Sequence, residues 1–423
     1  MDEAGRPQLH LTARGGWVND PLGLTFHDGQ YHLFFQHVPA VTAWAPSCQW
    51  GHATSPDLLR WTERPVALLP GGGDDGCWSG SIAVDEDGRP VLFYTSVTVP
   101  DVHIGRVRTA LPVDRTWDSW VKQDVVARLP PGVDAVAFRD PYVYRDDGRW
   151  RMLVGAGLAD GTPTALGYVS DDLETWEYDG PLVPESAHET DNVWTGSLWE
   201  CPQLFPLGDA RVLVVSVWDA DVPHHVACAV GSVSRGRFTP HTWQRLTYGP
   251  CYYAASAFAD EHGRRGLMLW LRDIRDAGGL WTGALSLPHL LELDGGTVRC
   301  TPHLHLDGYR SPSPGGPVDL AHAADLEWMP AADARLLLRL ADDTTVVEVR
   351  VHAGELTVAC AVTGSAWSMP WRPGAVRLVL DGPVLEVFAA SGVMAVPVAA
   401  GGAALRPVCG PGDGALQWWP LGA

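Results

Sequence analysis

A fixed internal period constrains this chain more than any other feature of its sequence. One pattern recurs five times up to about residue 305: a small or acidic residue, an apolar stretch, a short polar turn usually containing glycine, and a strongly apolar stretch. The copies occupy residues 20–36, 79–96, 140–156, 200–218 and 254–271, and their first residues are 59, 61, 60 and 54 positions apart. Such regularity is typical of a supersecondary unit that packs against copies of itself.

Each copy is predicted to open with a β-hairpin. In the first three copies, two apolar stretches of strand length flank an Asp-Gly pair, the strongest short-range hairpin signal: Asp28-Gly29, Asp87-Gly88 and Asp147-Gly148. A glycine, a serine and a later tryptophan recur in residues 51–61, 167–176 and 231–243, where they predict a third strand, a turn and the start of a fourth. Four strands per unit predict a five-bladed β-propeller. A sandwich of unrelated hairpins would have no reason to keep a fixed period.

A different domain is predicted after the repeats. The periodicity stops in residues 307–317, whose proline, glycine and serine content is typical of a linker. Short alternating runs follow in residues 347–351, 356–359, 376–380 and 384–388, separated by glycine and aspartate turns. We therefore expect an all-β protein with a propeller over residues 1–306 and a β-sandwich over residues 318–423, which acts as a structural support or as a lid on the propeller.

Composition limits the partners. Acidic residues outnumber basic ones by 50 to 30, the net charge is −20, and Lys122 is the only lysine, which argues against a nucleic-acid partner. There is no run of about 18 apolar residues, so no membrane span is predicted. Residues 1–10 carry neither a basic nor an apolar signal segment, and the eight cysteines form no Cys-x-x-Cys pair, so we expect free thiols and a cytoplasmic location.

Carboxylates begin three of the repeats. The first strands of propeller blades lie nearest the axis, so we expect Asp20, Asp140 and Glu200 to converge there. Clustered, partly buried acids acquire different pKa values, which suits glycoside hydrolysis by a nucleophile and an acid, with a third carboxylate on sugar hydroxyls. An aspartate before proline is by itself more often a turn residue. No histidine recurs at the blade starts, so we expect no metal.

Three short motifs resemble those of a known family. They are WVNDPLG (residues 17–23), FRDP (residues 138–141) and WECP (residues 199–202), and their order and spacing closely resemble glycoside hydrolase family 32, the β-fructofuranosidases. The resemblance implies a five-bladed propeller followed by a β-sandwich. It also implies a retaining mechanism with Asp20 as nucleophile and Glu200 as acid and then base. Asp140 would bind fructose hydroxyls and stabilise the transition state.

The resemblance further implies a set of sugar-binding residues: Trp17, Asn19, Gln36, Trp44, Trp78, Ser79, Arg139 and Trp281. We expect Arg139 and polar donors to favour the charge on the aspartates, and Glu200 to lie against an apolar wall that keeps it protonated. Leu22 stands where the family usually has asparagine, and Thr247 where it often has an aspartate that holds the glucose half of sucrose.

We therefore expect a cofactor-free hydrolase that releases terminal β-D-fructofuranosyl units from sucrose or a short fructan. One alternative is a fructosyltransferase that uses the same covalent intermediate, and another is an exo-hydrolase of fructans with little activity on sucrose. A sugar-binding protein without catalysis and a glycosidase for another furanoside are further alternatives. The expected partner is a small β-fructoside, and the sequence does not indicate an oligomeric state.

Overall fold

The computed structural model describes residues 5–183, 193–312, 322–400 and 403–422, and the fold is all-β. Four blades contain four antiparallel strands each. Their strands are β1 (Gly16–His27), β2 (Gln30–Val38), β3 (Gln49–Ser55), β4 (Thr62–Leu68), β5 (Gly76–Val84), β6 (Pro90–Val97), β7 (Arg106–Pro112), β8 (Trp120–Ala127), β9 (Ala135–Asp146), β10 (Arg149–Leu158), β11 (Pro163–Ser170), β12 (Glu177–Pro181), β13 (Leu198–Leu207), β14 (Ala210–Asp219), β15 (Val222–Ser234) and β16 (Arg237–Arg245). Within the described residues, no helix is long and apolar enough to cross a membrane.

The fifth blade has a divided third strand. Its strands are β18 (Tyr252–Ala259), β19 (Arg265–Arg275), β20 (Trp281–Leu285), β21 (His289–Asp294) and β22 (Thr297–Pro302). Both β20 and β21 pair with β19, and β20 also pairs in parallel with the start of β1 through Gly16 and Trp17. This pairing joins the first and fifth blades into one sheet and closes the ring, in which the first strands β1, β5, β9, β13 and β18 contact one another in cyclic order. The five-bladed propeller is confirmed.

Two of the three predicted Asp-Gly turns have the expected geometry. Asp28 and Gly29 have φ of 48° and 77°, and Asp147 and Gly148 have φ of 49° and 76°. Both pairs form two-residue loops with two left-handed residues, as a type I′ turn requires. The third turn is longer, because β5 ends at Val84 and β6 begins only at Pro90. There the carboxylate of Asp85 accepts the backbone N–H groups of Asp87 and Arg89 and holds a wider loop.

The sandwich consists of two sheets. One contains β23 (Ala323–Pro330), β28 (Val376–Asp381), β29 (Val384–Ala389), β30 (Gly392–Pro397) and β32 (Gly414–Pro420), and the other contains β24 (Ala334–Arg339), β25 (Thr345–His352), β26 (Glu355–Cys360), β27 (Ser365–Pro370) and β31 (Arg406–Cys409). Leucine, valine and methionine side chains from both sheets fill the space between them. All four alternating runs that predicted strands lie in β25, β26, β28 and β29.

At least three features connect the propeller and the sandwich within the described residues. Residues 307–309 of the predicted linker belong to a short 3-10 helix (Leu304–Tyr309), and its part after residue 312 lies outside the described residues. The two-residue strand β17 (Thr247–Tyr248) leaves the propeller and pairs with β30 at the edge of a sandwich sheet. The third connection is an ionic cluster at the interface, where the imidazole of His10 meets Asp381 at 2.8 Å and Glu386 at 3.5 Å.

Candidate active site

The hydrogen-bond register of every first strand breaks near its start. The breaks lie between Val18 and Pro21, Trp78 and Gly80, Arg139 and Tyr142, Glu200 and Gln203, and Tyr253 and Ser256. A break of this kind is a β-bulge, which bends the strand and re-aims its side chains. The prolines at residues 21, 141 and 202 stand at these bulges, where a missing N–H donor is tolerated. Five bulges at one level of the ring therefore direct side chains toward the axis.

Asp20 is held by three neighbours at this level. The Asn19 amide donates to its Oδ1 at 3.0 Å, the Gln36 amide donates to its Oδ2 at 3.1 Å, and the Ser79 hydroxyl donates to the same oxygen at 2.5 Å. The indole N–H of Trp17 donates in turn to the Asn19 amide oxygen at 3.0 Å. Burial raises the pKa of Asp20, and the hydrogen bond from Ser79 opposes that rise. The donors fix the carboxylate in one orientation.

Asp140 lies beside Asp20. Its carboxylate accepts the backbone N–H of Cys201 at 3.0 Å, and its own backbone N–H donates to the Thr95 hydroxyl at 2.8 Å. The sulfur of Cys201 lies 3.7 Å from a carboxylate oxygen of each aspartate. Burial and the charge of Glu200 raise the pKa of Asp140, while the charge of Arg139 opposes the rise. Asp140 has a φ of 65°, a left-handed value that strains a residue with a side chain.

Glu200 does not occupy the same strand position as Asp20 and Asp140, although the sequence predicted equivalent positions for the three carboxylates. Asp20 and Asp140 directly precede proline, but Cys201 occupies that place in the fourth blade, so Glu200 corresponds to Asn19 and Arg139. The apolar wall predicted around Glu200 is also wrong. Arg139 donates to its Oε1 at 2.9 Å, and the hydroxyl of Tyr253 donates to its Oε2 at 2.5 Å. The guanidinium of Arg139 thus hydrogen-bonds Glu200 directly, and it acts on Asp140 through its charge alone.

The predicted tryptophans do not all lie in one place. Trp44 is half-exposed and packs edge to face against Trp78, the residue before Ser79, with ring centroids 5.6 Å apart. Trp17 packs on Trp270 in the same manner, at 5.4 Å. Trp281 is separate from this group, because it is buried in the core that faces the sandwich, with Arg6 over its ring at 5.3 Å. Trp270 therefore lies beside the carboxylates, where Trp281 was predicted to lie.

Four residues at the site were not predicted as members of it: Thr95, Cys201, Tyr253 and Trp270. A signal for Tyr253 was present, since it precedes the bulge of the fifth blade as Glu200 precedes that of the fourth.

The two departures from the family pattern, Leu22 and Thr247, make their contacts away from the three carboxylates. Leu22 packs in the apolar core with Phe34 and Trp50, and the hydroxyl of Thr247 accepts the backbone N–H of Val226 at 2.9 Å.

The described residues contain no cluster of three histidine, cysteine, aspartate or glutamate side chains suited to a metal ion. Two aspartates and a glutamate brought together by five propeller blades, with an arginine on the glutamate, supply the paired carboxyl groups that glycoside hydrolases, as a class, use.

Comparisons with known proteins agree with this class. The family model described as "Glycosyl hydrolases family 32 N-terminal domain" matches residues 10–302. A sucrose-6-phosphate hydrolase of Zymomonas mobilis is 32% identical over 320 residues, which cover 70% of this chain and 61% of the relative. A fructan 6-exohydrolase of Beta vulgaris is 30% identical over 332 residues, which cover 69% of this chain and 53% of the relative. The chain belongs to glycoside hydrolase family 32.

The structural comparison extends over both domains. A solved β-fructofuranosidase of Bombyx mori superposes with a TM-score of 0.86 at 23% sequence identity, covering 100% of this chain and 95% of that one. At this identity the likeness concerns the fold, and it includes the C-terminal sandwich that the family model does not reach.

Proposed function

We propose that the protein is a retaining β-fructofuranosidase that needs no cofactor and acts on sucrose or a short fructan. The observation that carries the proposal is the convergence of Asp20, Asp140 and Glu200: the Cys201 sulfur lies 3.7 Å from both aspartates, and Arg139, next to Asp140 in the chain, donates to Glu200. The relatives named as a sucrose-6-phosphate hydrolase and a fructan 6-exohydrolase support this substrate class.

In the first step, a carboxylate oxygen of Asp20 attacks the anomeric carbon of the fructosyl unit, and the bond from that carbon to the leaving oxygen breaks. Glu200 gives its proton to the leaving oxygen. In the second step, Glu200 takes a proton from water, the water oxygen attacks the same carbon, and the ester to Asp20 breaks. Asn19, Gln36 and Ser79 keep the Asp20 carboxylate aimed, because each donates a hydrogen bond to it.

Arg139 and Tyr253 orient Glu200 for both proton transfers, since each donates to a different oxygen of its carboxylate. Asp140 is placed to accept hydroxyl groups of the sugar ring and to stabilise positive charge on that ring in the transition state.

The test is release of free fructose from sucrose, inulin and levan by the wild type and by Asp20→Asn and Glu200→Gln. We expect each substitution to lower turnover by about three orders of magnitude or more, since each removes a group that takes part in bond making or proton transfer. Asp28→Asn is the matched control, because Asp28 lies in the exposed turn of the same hairpin as Asp20. Near wild-type rates in either active-site variant would contradict the assigned roles. Oligosaccharide products with excess glucose would favour the transferase.

A further inference from the structure

A pocket lies at the seam between the first and fifth blades, apart from the three carboxylates. Its volume is about 550 Å³, within the range of about 300–1,000 Å³ that is typical of small-molecule sites. Its lining comes from residues 6–14 before β1, residues 59–63 at the start of β4, and residues 276–281 between β19 and β20. Among the described residues that line it, none belongs to the sandwich and none is one of the three carboxylates.

Trp61, which lines this pocket, departs from its counterparts in the neighbouring blades. In the second and third blades the equivalent residues, Trp120 and Trp176, each donate the indole N–H to the carbonyl three residues earlier, at 2.8 Å and 3.1 Å. The chain makes a similar turn in the first blade, where Leu58 has a left-handed φ of 67°, close to the values of 58° and 66° in the other two. The indole N–H of Trp61 nevertheless donates to no described residue, although its ring packs against buried apolar side chains of the first and fifth blades. Trp61 therefore offers an unused donor to the pocket.

A second tryptophan, Trp281, lines the same pocket. Trp281 is only 2% exposed, yet its indole N–H also donates to no described residue. Arg6 holds the ring in place, because its guanidinium lies over the ring at 5.3 Å from the centre. The same guanidinium is fixed in turn, since it donates to the Thr12 hydroxyl at 2.6 Å and to the Ala13 carbonyl at 2.8 Å. Two positioned indoles thus keep their N–H groups available for an acceptor from outside the chain.

The charges that line the pocket cancel one another. Arg6 and Arg14 supply positive charge, and Glu63 and Asp276 supply negative charge. His10 also lines the pocket, but the buried carboxylates of the ionic cluster at the domain interface meet its charge. One oxygen of Asp276 accepts a backbone N–H of its own turn at 2.9 Å, and its other oxygen accepts from no described residue. A pocket that offers donors and acceptors without net charge favours an uncharged polar ligand over an ion.

We propose that this pocket is a second, non-catalytic site that binds an uncharged saccharide. An indole presents an apolar face to the C–H groups of a sugar ring and an N–H to its hydroxyls. A sugar hydroxyl both donates and accepts hydrogen bonds, so it matches the indole N–H groups on one side and the free oxygen of Asp276 on the other. The inference goes beyond the proposed function and does not depend on it, because no catalytic residue takes part in the pocket.

The experiment measures binding of radiolabelled sucrose by equilibrium dialysis, with every protein carrying Asp20→Asn so that the sugar is not consumed. We expect one sucrose molecule at the carboxylates and a second in the pocket. Adding Trp61→Ala should weaken binding of the second molecule by about tenfold, because it removes the indole face and its N–H. Trp176→Ala is the matched control and should leave both molecules bound. It removes the equivalent indole from the third blade, where the ring packs against apolar side chains in the same way but does not line the pocket.

A second variant does not require removal of a packed ring. Gln8 is exposed and lines the pocket, so Gln8→Trp should fill the space with a larger side chain and abolish binding of the same sucrose molecule without unfolding the protein. Sucrose binding that neither Trp61→Ala nor Gln8→Trp reduces overturns this inference and leaves the proposed function intact. Failure of the wild type to release fructose from any substrate overturns the proposed function instead, and the loss of binding in the two pocket variants would still support the second site.

Discussion

Removing the imidazole of His10 should destabilise the protein in a pH-dependent way. His10 is fully buried between the domains, 2.8 Å from Asp381 and 3.5 Å from Glu386. Asp381 also accepts the backbone N–H groups of Gln8, Leu9 and His10. His10→Gln leaves Asp381 without its cation and leaves Glu386 with His289 as its remaining imidazole neighbour, so it should cost about 3–5 kcal/mol of unfolding free energy.

The pH dependence follows from the pKa values of the cluster. Burial lowers the pKa of His10, but the hydrogen bond with Asp381 and the nearby carboxylate of Glu386 outweigh it and raise the value from 6.5 to about 9. A raised pKa means that the folded state binds the proton more tightly, so this contribution is complete below about pH 6.5 and is lost as the pH rises through about 9. Its size is about 3 kcal/mol.

The pKa of Glu386 sets the lower pH limit of the stabilisation by this cluster. Burial raises its pKa, but the imidazoles of His10 at 3.5 Å and His289 at 3.8 Å outweigh this effect and lower the value from 4.5 to about 2. A lowered pKa means that this stabilisation is present above about pH 4.5 and is lost as the pH falls through about 2. The cluster therefore stabilises the fold fully between about pH 4.5 and about pH 6.5.

The assay is urea unfolding followed by tryptophan fluorescence, for the wild type and His10→Gln, at about pH 6 and about pH 10. The difference in free energy should be largest at the lower pH and should shrink by about 3 kcal/mol at the higher one. His352→Gln is the control, because His352 meets Asp333 at the surface with 57% of its side chain exposed, and its effect should stay below about 1 kcal/mol. An equal difference for His10→Gln at both pH values would refute the reasoning.

Two further predictions concern the site. Tyr253→Phe removes the hydroxyl that donates to Glu200, so we expect kcat to fall about tenfold and the pH profile of kcat to shift. Tyr142→Phe is the control and should leave both unchanged, because the Tyr142 hydroxyl has no such contact among the described residues. If the pH profile of kcat does not shift in Tyr253→Phe, Tyr253 does not orient Glu200. A Cβ on Gly155 would lie 2.2 Å from the Trp199 carbonyl oxygen, so Gly155→Ala should lower both the melting temperature and the rate of fructose release. Gly308→Ala is the control, because a Cβ on Gly308 would meet open space. Unchanged melting of Gly155→Ala would show that the neighbouring blades can separate without cost.

The repeat allowed most of the fold to be predicted, and the reason is local. Asp-Gly pairs and alternating apolar residues determine hairpins within a few residues, and a constant period then determines their number. The turn at residues 85–89 was mispredicted, because the carboxylate of Asp85 binds two backbone N–H groups and holds a longer loop. The division of the third strand in the fifth blade was also unseen, since it depends on pairing with β1, far away in the sequence.

The site was predicted less completely, because bulges and long side chains decide its details. The motifs identify the three carboxylates, and their Cys-Pro pair shows that Cys201 stands in the place of an aspartate, but they do not reveal that Arg139 turns toward Glu200. Trp270 and Trp281 lie in neighbouring strands of the same blade, and only the direction of each side chain separates a residue beside the carboxylates from a core residue. Side-chain direction after a bulge does not follow the simple alternation of a strand.

The strand β17 has a consequence for how this protein can be divided. Thr247 and Tyr248 come from the chain between the fourth and fifth blades, yet they form the border strand of a sandwich sheet. A shortened protein that ends near residue 312 would lose the partner of that strand, together with Asp381 and Glu386, and would expose unpaired backbone groups and a buried imidazole to water. We therefore expect the propeller and the sandwich to unfold as one unit, and we expect a fragment cut at the apparent boundary to aggregate rather than to fold and act.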